Sequence, residues 1–147
     1  MRPSANRSED GAATVEFVLL VVALLVPLTY VVLTVLTLQR HAFGLTEAAR
    51  EAVRGYVTTP IGDNGEQRAR AAATLALQDQ GIDVSQVRLT FDCSATPCLT
   101  PSARLTVRIE TVVPLPWVPD LLGRPTAAFP VVATQTEVVD PYAPIRP

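Results

Sequence analysis

The sequence contains no lysine; all twelve of its basic side chains are arginine, against fourteen carboxylates. At a formal net charge of −2 there is no basic excess to neutralise a phosphate backbone, so nucleic-acid binding has no electrostatic support. Histidine occurs once, as His41, and cysteine only at Cys93 and Cys98, far along the chain from it. That supply does not assemble a zinc-type ligand set. There is no Gly-rich phosphate loop, no Gly-x-Ser-x-Gly and no clustered pair of carboxylates beside an apolar pocket pattern. The chain therefore reads as a non-enzyme, with no catalytic residues, no metal and no cofactor. Repeats and long linkers are missing too. With 147 residues, one small domain is the most that can accompany the feature that dominates the sequence.

That feature is an apolar run. From Phe17 to Leu38 there are 22 residues without a charge. As a helix rising ~1.5 Å per residue, the run covers the ~30 Å hydrocarbon core of a bilayer. In lipid a backbone must satisfy its own hydrogen bonds, so the run is predicted to be helical. Pro27 sits mid-span and predicts a kink rather than an end, with Thr29 and Thr34 able to re-satisfy freed carbonyls. The apolar core exceeds the ~7–15 residues of a cleaved secretory signal, and no A-x-A-like site follows Leu38. Arg2 and Arg7 flank the run on one side, Arg40, Arg50 and Arg54 on the other, so arginine placement leaves the orientation open. The cysteines carry more information. They enclose Ser94-Ala95-Thr96-Pro97, a turn-forming insert between two strand-like runs, which suits a Cys93–Cys98 disulfide; two unlinked cysteines are the alternative. Disulfides persist outside the cytoplasm. The expectation is a single-pass protein of the cell membrane, N-terminus cytoplasmic, with the chain after about Gln39 extracytoplasmic.

Glu16 stands between Val15 and Phe17 at the edge of the run. It can lie at headgroup level in a first helical turn, where the helix dipole favours an anion. It also completes a pattern. Gly11, four residues, then Glu16-Phe17 resembles the type IV prepilin processing motif. The resemblance implies that a membrane prepilin peptidase cuts between Gly11 and Ala12. Residues 1–11 would be a short polar leader, and Glu16 would pair with the free amine of Ala12 on a neighbouring subunit as filaments assemble. Leaders of that family tend to be basic just before the glycine; here Glu9 and Asp10 are acidic.

Residues 1–10 carry no periodic apolar pattern and read as disordered or removed. The helix is expected from Ala12 to about Tyr56, because Leu45, Ala49, Ala52, Val53 and Tyr56 recur at helical spacing beyond the membrane run. Thr58 to Gly62 breaks it. Asp63 with Glu66 resembles a capping box opening a second helix to about Gln80. Its apolar side is Ala69, Ala72, Ala73, Ala76 and Leu77, and Gly81 supplies the stop. The period then becomes two. Val87, Leu89 and Phe91 alternate with polar residues, as do Leu105, Val107, Ile109, Thr111 and Val113, predicting a hairpin with Arg88 or Arg108 facing Glu110 or Asp92. Pro114, Pro116 and Pro119 bar regular structure around Trp117, which either contacts a partner or folds back over the open end of the core. Ala127 to Val139 returns to strand character, with Pro130 placing its start on an edge. The last residues, 141–147, form a proline-rich tail read as extended and mobile.

The predicted class is α+β: a long N-terminal transmembrane helix (12–56) extending outside the membrane, then a small extracytoplasmic domain (57–140) made of a second short helix and a three-stranded antiparallel sheet. The emergent half of the first helix must cover its core. This arrangement resembles the TadE-like proteins, pilin-like subunits of the tight-adherence (Tad/Flp) pilus machinery. In that family the glycine–glutamate start and membrane helix are followed by an alanine- and arginine-rich turn, here Glu47-Ala48-Ala49-Arg50-Glu51-Ala52-Val53-Arg54, and a final strand ends near a glutamate, here Glu137. The resemblance implies a pilin-like minor pseudopilin without catalytic activity. Its partners would be the lipid bilayer, a prepilin peptidase, other pilin-like subunits and pilus assembly proteins, not nucleic acid. The second reading is an uncleaved single-pass anchor carrying a small extracytoplasmic protein-binding domain. The two differ on whether the mature chain begins at Ala12.

Overall fold

The computed structural model of the chain describes residues 7–60, 63–114 and 128–143. The elements run α1 (Arg7–Val57), α2 (Gly65–Asp79), a 3-10 turn (Val84–Gln86), β1 (Val87–Cys93), β2 (Arg104–Pro114) and β3 (Ala128–Val138). The class is α+β, with a long apolar N-terminal helix, a second helix and one antiparallel sheet. Two compact units divide the chain, Met1–Leu36 and Thr37–Pro147, so the C-terminal part of α1 belongs to the second.

α1 begins at Arg7 rather than at the expected Ala12. A helix already nucleated downstream adds turns at its end without a new nucleus, so residues 7–10 are helical rather than disordered. The helix continues through Pro27. Proline offers no N–H to the carbonyl one turn back, that of Ala23. Thr29 Oγ1 donates to the carbonyl of Leu25 at 2.8 Å and Thr34 Oγ1 to that of Tyr30 at 2.9 Å. Neither bond is to Ala23. The threonines satisfy their own hydroxyls within the apolar run instead of the acceptor that Pro27 frees. At the far end Thr58 and Thr59 turn their hydroxyls onto the carbonyls of Arg54 and Gly55, at 2.8 and 2.9 Å.

The cap of α2 is Asn64 and not Asp63. Asn64 has extended backbone angles (φ −86, ψ 106), and its Oδ1 accepts the Gln67 N–H at 3.1 Å. Glu66 turns to Arg70 at 2.7 Å instead of reaching back as a capping box requires. At the other end Gly81 takes φ +65. The Gly81 N–H donates to Gln78 O at 2.8 Å and the Ile82 N–H to Leu77 O at 2.9 Å, the paired closure that a left-handed glycine permits. Leu77 and Ile82 meet in the core beneath it. Arg40 of α1 holds the same turn by donating to the Gln80 carbonyl, Nε at 3.0 Å.

α2 packs antiparallel on the second-unit part of α1. A Cβ on Gly65 would stand 2.9 Å from the Tyr56 ring, and one on Gly44 would stand 2.5 Å from Ile82 Cδ1. Between these glycines the contact is built from buried alanines: Ala48, Ala49 and Ala52 of α1, Ala69 and Ala73 of α2. The C-terminal part of α1 thus supplies cover, as expected, with Leu45 and Val53 buried beside the alanines.

The sheet order is β1-β2-β3, antiparallel throughout. Leu105, Val107, Ile109, Thr111 and Val113 of the central strand face inward, as their alternation predicts. Thr111, the polar one, donates its hydroxyl to Gln86 O at 2.9 Å. Val87, Leu89 and Phe91 are half-buried against the same core. β3 is an edge strand, consistent with Pro130 in it; its phase buries Ala133 and leaves Val132 and Val138 on the outside. β2 continues through Pro114, so irregular structure does not begin there. Trp117 and the rest of 115–127 lie outside the described residues. Of the tail, Asp140 to Ala143 form a turn rather than extended chain, with the Tyr142 N–H on Asp140 Oδ1 at 2.8 Å. On the outer face Glu110 lies 3.6 Å from Arg88 and 3.3 Å from Arg108. These are exposed pairs and contribute little to stability.

Cys93 and Cys98 are bonded, with Cα atoms 5.3 Å apart. The hairpin is also held by Ser94, whose N–H donates to Arg104 O and whose Oγ accepts the Arg104 N–H, at 2.9 and 2.8 Å. The covalent loop is short, so removing it should matter less than the ~3 kcal/mol expected for a 15-residue loop. Urea unfolding of the Cys93→Ser/Cys98→Ser chain in detergent should show a lowered midpoint with the domain still folded in buffer. A domain already unfolded without urea would mean that the bond, not the core, holds the sheet.

Candidate assembly site on the apolar helix

A helix packed on a water-soluble core has one apolar stripe and a polar remainder. The first unit does not follow that pattern. Large apolar side chains are exposed all round it, among them Leu24 at 73%, Val15 at 67% and Phe17 at 66%. None of its most apolar window is buried. Each such side chain forgoes roughly 1.5–3 kcal/mol by remaining in water, so a surface of this kind needs a non-aqueous neighbour. Among the described residues this is the one helix long and apolar enough to cross a membrane.

The residues singled out by sequence fall on its first turns. Gly11 and Ala12 have helical backbone, and Glu16 follows one turn after Ala12. Positions four apart share a helix face, and helical side chains lean toward the N-terminus, so the Glu16 carboxylate leans toward the turn containing Ala12. Glu16 is exposed, with exposed Val15, Phe17, Leu19 and Leu20 about it. The ion pairs among the described residues all lie in the second unit and none involves Glu16. In a bilayer a lone carboxylate costs up to ~2.5–3.5 kcal/mol at the centre and less toward the interface. What the arrangement can do is receive a cation.

Cys93 and Cys98 belong to the second unit, where their bond closes the hairpin end. That unit also holds contacts the sequence did not reveal. The Tyr56 and Phe91 rings pack with centroids 5.6 Å apart, and the Arg70 guanidinium stands 5.2 Å over Phe91. Burial raises the Tyr56 hydroxyl above its ordinary pKa, and the charge of Glu66 adds to the shift. Only Glu66–Arg70, four apart on one helix, had a local signal. In the turn before β1 the Ser85 hydroxyl, then the Ser85 N–H, hold the Asp83 carboxyl below its usual range. Both shifts arise from packing and turn geometry. His41 Nδ1 lies 2.9 Å from the Thr37 carbonyl of its own helix. Among the described residues no group of three or more His, Cys, Asp or Glu is placed to hold a metal ion.

Known protein families, curated proteins and solved structures offer no match to this chain. The exposed apolar helix and the carboxylate of Glu16 at the edge of its apolar run are therefore the features on which a function can be built.

Proposed function

We propose that the chain is a TadE-like, pilin-like membrane subunit that takes part in assembling a Tad/Flp-type pilus or a related secretion apparatus. The observation that carries this reading is the exposed apolar helix with the carboxylate of Glu16 at the edge of its apolar run, five positions after Gly11. Lipid takes the apolar surface. A prepilin peptidase removes residues 1–11, and Glu16 then meets the Ala12 amine of a neighbouring subunit. The Cys93–Cys98 bond supports an extracytoplasmic second unit and a cytoplasmic N-terminus. The alternative is an uncleaved single-pass anchor, in which α1 keeps the residues from Arg7 to Gly11. In that case the second unit serves as a protein-binding domain on a permanent stalk.

Intact-mass measurement of the membrane-extracted protein decides between them. In cells with an active prepilin peptidase the expected mass lacks residues 1–11. A full-length mass there removes the pilin-type reading and leaves the anchor.

A further inference from the structure

Two exposed faces of the second unit have complementary chemistry. On the side of the helix pair facing away from the sheet lies a groove lined by Glu47, Glu51, Ala72, Leu75, Ala76 and Asp79. Leu75 is 64% exposed in it. Of its three acids only Glu47 has an ion-pair partner among the described residues, Arg50 at 3.7 Å. Such an exposed pair holds its charges loosely.

The outer face of the sheet has the opposite balance. Arg88, Arg104 and Arg108 stand there against Asp92 and Glu110, and Glu110 is shared between Arg88 and Arg108. Beside them Val112 and Val132 are 55% and 44% exposed, flanking a hollow with Pro130. The two patches lie on different layers of the second unit, the acids on the helix pair and the arginines on the sheet.

We infer that the second unit docks on a second copy of this chain, the acid-rimmed groove of one against the arginine-bearing sheet face of the next. The inference rests on the membrane-subunit reading above. Leu75 of one copy is covered by Val112 and Val132 of the other, and the charges set register and exclude the like-on-like pairing. Because the two patches differ, the contact is heterologous and propagates into rows instead of closing as a symmetric dimer.

The test uses the full chain in lipid vesicles with benzoylphenylalanine replacing Leu75. Photo-crosslinks should map to β2 or β3 of a second copy. Glu51→Arg or Arg108→Glu alone should lower their yield by about tenfold, and the chain carrying both should recover it. Crosslinks confined to α1 or α2, a yield indifferent to either reversal, or no recovery in the double variant would each overturn the docking. A chain that never enters the bilayer overturns the membrane reading and this inference together; an inserted chain with the wrong crosslink overturns this inference alone.

Discussion

On the proposed pilin-type function, Glu16→Gln is expected to leave membrane insertion intact and to cost the chain its pilin-like partners. The amide keeps the size and polarity of the side chain, and the apolar run from Phe17 to Leu38 is unchanged. Only the negative charge is lost. If that charge neutralises the Ala12 amine of an adjacent subunit, the substitution removes the charge-assisted part of a bond worth ~1.5–3 kcal/mol, more where water is excluded. At ~1.4 kcal/mol per decade, incorporation should fall roughly ten- to hundredfold. Co-purification of the cleaved variant with its partners, quantified against the wild-type chain, reads this directly. Equal recovery would show that the carboxylate merely sits at the headgroups, where the helix dipole tolerates it.

Ile109→Ala should produce the largest loss of stability in the second unit. Ile109 is fully buried in the central strand, between Leu89 of β1 and Ala133 of β3. The helical side of the same core is mostly alanine, with Leu45, Val53 and Leu77 beside them, so few long side chains can move into the space. Truncations of this kind cost ~2–5 kcal/mol, the upper part of the range applying where the site cannot collapse. Whole domains are stable by only ~5–15 kcal/mol, and small ones lie toward the bottom. Urea unfolding of the detergent-solubilised chain, followed by limited proteolysis, should place the midpoint far below wild type. Leu75→Ala, at an exposed position, should stay within ~0.5 kcal/mol. Similar midpoints for the two variants would mean that the sheet does not rest on this core.

Much of this fold was legible because its signals are local. A period of two marked β1 and β2 with the correct inward faces, since strand side chains alternate strictly. The helical spacing of Leu45, Ala49, Ala52 and Val53 marked the covering face of α1, though Ala48 joins it. The cap of α2 was misassigned by one residue because Asp63 and Asn64 are both capping types and backbone angles decide between them. The Tyr56–Phe91–Arg70 cluster left no trace, because its members meet only after the sheet folds back on the helices. At the candidate site the spacing of Gly11 and Glu16 was readable, but any partner of Glu16 on another chain leaves no mark in this sequence.

The second unit begins within α1, at Thr37, and takes Leu45, Ala48, Ala49, Ala52 and Val53 into its core. A cut placed after Val57, where the helix ends, would separate the sheet and α2 from one wall of their own interior. The point at which α1 ends and the point at which the second unit begins are therefore not the same. Helix and domain cannot be exchanged as separate cassettes: any recombination that replaces the helix must keep its alanine face in register with Ala69 and Ala73, or the second unit is lost with it.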